Sequence, residues 1–154
     1  MTAEAVARAL LNHRKMTVVT NNMNVANILA ASESCDVIVA GGVLRRSDGG
    51  LVGDLTTEAI GHFKVDYAIV GTSALDLDGD LLDFDPQEVR VSQAILRQAR
   101  QSCLVADASK LGRRAPVRIA SLSAIGHVFT DRHLPDELAE KCESWGTEVV
   151  LSSG

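Results

Sequence analysis

The sequence lacks the features of a membrane protein or a secreted protein. No apolar run approaches the roughly 20 residues that span a bilayer, and the first residues carry no signal-peptide pattern. The three cysteines, Cys35, Cys103 and Cys142, show neither C-x-x-C nor zinc-like spacing, and an odd number does not make a disulfide framework. We therefore expect a cytoplasmic protein with reduced, partly buried cysteines and no membrane partner.

The sequence also lacks an excess of positive charge. Its 15 lysines and arginines are outnumbered by 20 aspartates and glutamates, which gives a formal net charge of -5. Binding to a phosphate backbone requires a basic face, and the basic pairs at 45–46 and 113–114 are isolated. This chain is therefore not expected to bind nucleic acid by itself.

Nucleotide-binding and catalytic motifs are absent as well. No G-x-G-x-x-G follows an apolar run, and there is no G-x-x-x-x-G-K-[ST] loop, G-x-S-x-G elbow or Cys-His pairing. The four histidines, at positions 13, 62, 127 and 133, do not have the spacing of metal ligands. We therefore predict no metal and no cofactor. The two function classes that remain are a sensor of small anions and an isomerase of the aldose-ketose type.

Helical and strand patterns alternate along the chain. With 154 residues, 46% of them hydrophobic, the chain can bury a sizeable core, and the alternation favours an α/β fold in a single domain, 1–154. The predicted helices cover 2–13, 24–31, 56–63, 86–101 and 135–146. The predicted strands cover 17–19, 37–40, 68–70, 103–106, 127–130 and 148–151, with a hairpin turn at 47–50. Asp85 is the predicted cap of the helix that begins at Pro86.

Four of the apolar runs end abruptly in small or polar residues. These residues are Thr20, Asn21 and Asn22 after the first run, Gly41 and Gly42 after the second, Gly71 after the third, and Asp107, Ser109 and Lys110 after the fourth. Ligands of open α/β sheets bind outside the carboxyl ends of the strands. Backbone amides, hydroxyls and a lysine suit a small polar anion. The pattern therefore predicts one ligand site.

Several of these candidates have a structural alternative. Lys110 could be a solvated lysine, and Glu88 suits the first turn of a helix whatever its function. Asn21 and Asn22 could close a turn or cap the next helix. Arg45 could reach into the site from the hairpin or remain solvated. The residues alone leave these alternatives open.

Ordered motifs extend over nearly the whole chain. They include TVVTNNMNVAN at 17–27, AGGVLRR at 40–46, DGGLVG at 48–53, LLDFDPQEVR at 81–90 and DASKLGR at 107–113. Together they resemble the DeoR family of bacterial repressors. The resemblance implies a C-terminal sensor domain that binds a phosphorylated sugar or polyol. It also implies a Rossmann-like, mostly parallel sheet flanked by helices, of the type shared with pentose-phosphate isomerases and coenzyme A transferases. We also expect a homo-oligomer.

The resemblance also implies the composition of the pocket. The positions that match recurrent pocket residues of the family are Thr20, Asn21, Gly41, Gly42, Gly71, Glu88, Asp107 and Lys110. In the family, a winged helix-turn-helix and a strand that ends in D-x-G-T-T precede these motifs, and only Thr2 matches the end of that phosphate-cradling loop. We therefore expect a sensor domain without its first strand. Contact with DNA is expected only through the family's N-terminal domain, which this chain lacks.

The expected function is sensing within a repressor of glycerol or sugar metabolism, with glycerol 3-phosphate as the inducer. The phosphate would lie near the start of the first helix, bound by Thr2 and by Lys110 or an arginine. Asn21, Asp107 and Glu88 would read the polyol hydroxyls. One alternative is an isomerase-like enzyme, in which Glu88 is the base and Lys110 the electrophile. Another is a module that only mediates protein interactions.

Overall fold

The alternating segments of the sequence form alternating helices and strands. The computed structural model describes residues 2–12 and 15–152, which form two compact units. The first unit extends to Phe63 and the second begins at Lys64. Each unit contains parallel strands with helices packed against them, and the predicted α/β class with a mostly parallel sheet is confirmed. The single domain remains a prediction.

The first unit is built around two parallel strands. Its elements, in chain order, are α1 (Thr2–Leu10), β1 (Met16–Thr20), α2 (Met23–Leu29), β2 (Cys35–Val39), β3 (Val43–Leu44), β4 (Leu51–Val52) and α3 (Asp54–Ile60). β1 pairs with β2 in parallel along its whole length, and β3 pairs with β4 as an antiparallel hairpin. Ala7 of α1, with Val25 and Leu29 of α2, buries the apolar faces of both helices against Cys35.

The second unit contains the larger sheet. Its elements, in chain order, are β5 (Val65–Val70), β6 (Ala74–Leu75), β7 (Asp80–Asp83), α4 (Pro86–Arg97), β8 (Ala99–Val105), β9 (Val117–Ser121), β10 (His127–Thr130), α5 (Asp136–Trp145) and β11 (Glu148–Leu151). Strands β5, β8, β10 and β11 form a parallel sheet in that order, and β6, β7 and β9 form a separate antiparallel sheet. The fully buried Leu81, Leu104, Leu122 and Leu138 belong to the core of this unit.

Local signals define both ends of α5. Pro135 precedes the helix, and Gly146 follows it with a φ of 75°, a left-handed conformation that glycine adopts without steric cost. The predicted helix and the following strand are both confirmed. At α4, the Asp85 carboxylate accepts the N–H of Gln87 at 2.9 Å, which confirms the predicted cap.

The predicted end of α4 at residue 101 is wrong. The helix ends at Arg97, because the chain from Ala99 onward pairs with β5 in the parallel sheet. Three other helix boundaries move as well: α2 ends at Leu29, α3 covers Asp54–Ile60, and α1 ends at Leu10. Residue 13, the predicted end of the first helix, lies outside the described residues.

Further features bear on the sequence predictions. All three cysteines are buried and unpaired, as expected, and burial raises the pKa of each thiol. The short strands β6 and β7 and the strand β9 were not predicted. Of the helices in the described residues, none has the length and apolar character needed to cross a membrane.

Candidate functional site

The polar residues of the second unit follow strands that run side by side. β8 pairs in parallel with both β5 and β10, so the carboxyl ends of these three strands meet at one edge of the sheet. Gly71 follows β5, Asp107 follows β8, and Asp131 follows β10. This edge is where an α/β sheet binds its ligands.

The segment after β8 is a tight turn, which we call the Asp107 turn (residues 107–110). It contains one turn of 3-10 helix, Ala108–Lys110, and the Asp107 carboxylate accepts the backbone N–H of Ser109 at 2.9 Å. The Ser109 hydroxyl donates to the same carboxylate. These bonds, with the nearby charges of Lys110 and Arg113, hold the pKa of Asp107 below its usual value. Asp107 is exposed and remains an ionised acceptor at neutral pH.

A cavity of about 430 Å³ lies beside the Asp107 turn. Its lining residues are Asp107, Ala108, Ser109, Asp131 and Arg132. Gly71, Glu88 and Lys110 are not among them. Sequence reasoning missed Asp131 and Arg132, although the same signal was available: they follow the predicted strand at 127–130 as Asp107 follows the strand before it.

Glu88 and Gly71 occupy positions that also have structural explanations. Glu88 is the third residue of α4 and is partly buried in the first turn, where an acidic side chain is favoured by the helix dipole. The segment after Gly71 is tied to β7, since the Thr72 hydroxyl lies 2.9 Å from the carbonyl of Leu82. Lys110 is partly buried within the Asp107 turn.

The residues after β1 are held by the hairpin of the first unit. The Asn21 side chain donates to the carbonyl of Leu51 at 3.0 Å, and the backbone of Asn21 accepts the N–H of Leu51. The Asn22 carboxamide caps α2 by accepting the backbone N–H of Asn24 and Val25. The buried Thr20 hydroxyl accepts the N–H of Asn22 at 3.1 Å. Here the structural alternative for both asparagines is realised.

The two glycines after β2 differ in their surroundings. A Cβ on Gly42 would lie 1.9 Å from the Thr56 hydroxyl and 2.8 Å from the Val52 carbonyl, whereas a Cβ on Gly41 would meet nothing within 4 Å. The Thr56 hydroxyl donates to the carbonyl of Gly41. Gly42 is therefore required by close packing against α3 and β4.

The remaining predicted residues of the first unit are Arg45 and Thr2. Arg45 forms a bidentate ion pair with Asp48 inside the β3-β4 hairpin, and its Nε lies 3.0 Å from Oδ1 of Asp48. The bonds from Arg45 hold the pKa of Asp48 below its usual value. Thr2 begins α1, and its side chain lies outside the described residues.

A second concavity, of about 470 Å³, lies at the opposite edge of the second unit's sheet. Arg100, His127 and Glu148 are among its lining residues. The two ring nitrogens of His127 lie 3.1 Å from Glu148 Oε2 and 3.3 Å from Gln101 Oε1. Across the described residues, no group of three or more histidines, cysteines or acids is placed to hold a metal ion.

Comparison with known proteins gives a consistent set of relatives. The family model described as "DeoR C terminal sensor domain" matches residues 1–132. The glycerol-3-phosphate regulon repressor of Haemophilus influenzae is 46% identical over 99% of this chain and 59% of its own length. The repressor of the same name from Escherichia coli is 48% identical over 87% of this chain and 53% of its length. The Escherichia coli repressor CsqR is 35% identical over 97% of this chain and 58% of its length.

The chain therefore spans between 53% and 59% of the length of these relatives. All three are named as repressors, which agrees with the predicted repressor sensor and not with the isomerase-like alternative. Among solved structures, ribose 5-phosphate isomerase A from Neisseria gonorrhoeae matches 73% of this chain and 52% of its own, with 11% identity and a TM-score of 0.40.

Proposed function

Because the chain belongs to the family of DeoR C-terminal sensor domains, we propose that it senses the effector of a bacterial transcriptional repressor of glycerol or sugar metabolism. Glycerol 3-phosphate is the proposed inducer. The observation that carries this proposal is the 46% identity to a glycerol-3-phosphate regulon repressor over 99% of the chain. The chain is proposed to act by binding alone, without a cofactor.

The Asp107 turn supports recognition of a hydroxylated ligand. An ionised carboxylate only accepts hydrogen bonds, and Asp107 is exposed at the edge of the sheet with a lowered pKa. It therefore suits the hydroxyl donors of a polyol. Lys110, on the same turn, supplies positive charge for the phosphate.

The other predicted residues belong to one unit or the other. In the second unit, Glu88 and Gly71 are proposed to contact the effector. In the first unit, Thr2, Thr20, Asn21, Gly41 and Gly42 stay predictions for such contacts. The structural bonds of Asn21 fix the position of its carboxamide.

Induction requires that the effector bind two states of the repressor with different affinities. The proposed readout is a change in the geometry between subunits of a cytoplasmic homo-oligomer. A DNA-binding domain elsewhere in the full-length protein would receive this change. Such an arrangement agrees with the acidic character of this chain, whose net charge is -5.

Calorimetric titration of the full-length gene product tests the proposed ligand. We expect glycerol 3-phosphate to bind, and glycerol and inorganic phosphate to bind at least about tenfold more weakly, because each retains only one half of the recognised chemistry. Ribose 5-phosphate and fructose 6-phosphate are the matched phosphosugars. Binding of either of these without binding of glycerol 3-phosphate would overturn the ligand assignment.

A further inference from the structure

Two residues after β10 lie on the cavity beside the Asp107 turn and have no role in the function proposed above. β10 and β8 are parallel neighbours, and the N–H of Ala106 donates to the carbonyl of Phe129 at 3.0 Å. The two chain segments therefore leave the sheet side by side. Asp131 and Arg132 line the cavity together with Asp107.

Asp131 connects the two segments. Its Oδ1 accepts the backbone N–H of Ala108 at 2.8 Å. Ala108 is the first residue of the 3-10 helix that the Asp107 carboxylate caps through the N–H of Ser109. The Asp107 carboxylate thus stabilises its own turn, and the Asp131 carboxylate stabilises the same turn from the end of the neighbouring strand.

Arg132 supplies the positive charge of the cavity. Among the lining residues it is the one cation, beside the two carboxylates of Asp107 and Asp131. Within the described part of the chain, no ion pair engages Arg132, whereas Arg45 is bound to Asp48 in its own hairpin. A guanidinium can donate two parallel hydrogen bonds to a phosphate group, and Arg132 is therefore better placed than Arg45 to bind an anion.

We propose that Asp131 and Arg132 belong to the effector site beside the Asp107 turn, and we call this pair its second wall. Arg132 binds the phosphate of the ligand, and Asp131 positions the Asp107 turn. The proposal rests on the proposed function, because it assigns the residues that recognise the same phosphorylated ligand. The ligand bridges two neighbouring strand ends of the second unit. The hydroxyls of the ligand donate hydrogen bonds to Asp107, and its phosphate binds Arg132.

Calorimetric titration of the full-length gene product with glycerol 3-phosphate tests the role of Arg132. We expect Arg132→Gln to weaken binding about tenfold or more, because a charge-assisted hydrogen bond to an anion is lost. Arg132→Lys should recover only part of this loss, since lysine lacks the planar fork. The matched control is Arg100→Gln, an exposed arginine at the opposite edge of the same sheet, which should stay within about twofold of the wild type.

The positioning role of Asp131 has its own pair of variants. Asp131→Asn keeps a carbonyl oxygen that can accept the N–H of Ala108, and should retain binding within about threefold, whereas Asp131→Ala should weaken it about tenfold. Thermal unfolding of both variants shows whether the fold is intact. Equal loss in the two variants, or no loss in Asp131→Ala, would overturn the positioning role.

The outcomes separate this inference from the proposed function. If the wild type binds glycerol 3-phosphate and Arg132→Gln binds it as Arg100→Gln does, the second wall is wrong and the sensor function stands. If the wild type binds neither glycerol 3-phosphate nor any of the matched phosphosugars, the sensor function itself is wrong, and the second wall falls with it.

Discussion

At the scale of single residues, Asp107 shows how one carboxylate orders the turn that follows a strand. Its carboxylate is held by the N–H and the hydroxyl of Ser109, and both bonds favour the charged form. The lowered pKa keeps the acceptor ionised through the physiological range. The same residue therefore shapes its turn and, in the proposed site, presents a negative charge to the ligand.

Gly42 is a residue whose role is structural. Gly42→Ala should lower the free energy of unfolding by about 2 kcal/mol, because the added Cβ must displace the Thr56 hydroxyl and the Val52 carbonyl. Urea denaturation followed by circular dichroism measures the change. Gly41→Ala is the matched control, since open space surrounds that position, and its effect should stay within about 0.5 kcal/mol. Equal stability of the two variants would contradict this account of the packing.

At the scale of elements, one ion pair lies within the turn of the β3-β4 hairpin. Arg45 and Asp48 are partly buried, with side-chain exposures of 28% and 24%. The Asp48 carboxylate also accepts the N–H of Gly50 at 3.0 Å. Arg45 therefore closes the turn, and its contact with a ligand stays a prediction.

The ion pair gives the hairpin a pH dependence with a defined sign. The pKa of Asp48 is lowered in the folded state, so its contribution to stability is present above the ordinary carboxyl pKa, and is lost as the pH falls through the lowered value. Asp48→Asn should therefore cost about 1–2 kcal/mol at pH 7, and this difference should shrink below about pH 3.8. Urea denaturation at pH 7, 5 and 3.5 follows this change.

The matched control for Asp48 is Asp36→Asn, which alters an exposed acid of β2. We expect its stability to stay close to that of the wild type at each pH. A difference between Asp48→Asn and the wild type that grew towards acid pH would mean that the ion pair does not stabilise the fold.

Elements with local signals at both ends could be predicted from the sequence, and elements defined by distant pairing could not. α5 was predicted with its following strand because Pro135 and Gly146 mark its ends. The end of α4 was missed because residues 97–101 are good helix formers, and only pairing with β5 makes them a strand. The short strands β6 and β7 carry too few residues for a periodic pattern.

The candidate site likewise has one part that could be predicted from the sequence and another that could not. The rule that ligands bind at strand ends pointed to Asp107, whose position on the sheet edge is set by β8 itself. The tie between Asp131 and Ala108 depends on β10 lying next to β8, and this neighbour relation cannot be read from one sequence. The hydrogen bond of Asn21 and the ion pair of Arg45 inside the first unit likewise could not be predicted from the sequence.

At the scale of the whole molecule, the chain combines a family signature with a net negative charge. It matches the sensor family over residues 1–132 and spans little more than half the length of its repressor relatives. Its net charge of -5 agrees with the proposed sensing role. That proposal requires a phosphorylated polyol to control the DNA affinity of the full-length protein.

Fluorescence anisotropy of the full-length gene product on a labelled DNA fragment from the promoters beside its own gene tests this claim most directly. Saturating glycerol 3-phosphate should weaken DNA binding by about tenfold or more, as a coupling free energy of 1–3 kcal/mol requires, while glycerol and inorganic phosphate should leave it unchanged. An unaltered DNA affinity at a glycerol 3-phosphate concentration that saturates the protein in calorimetry would contradict the account.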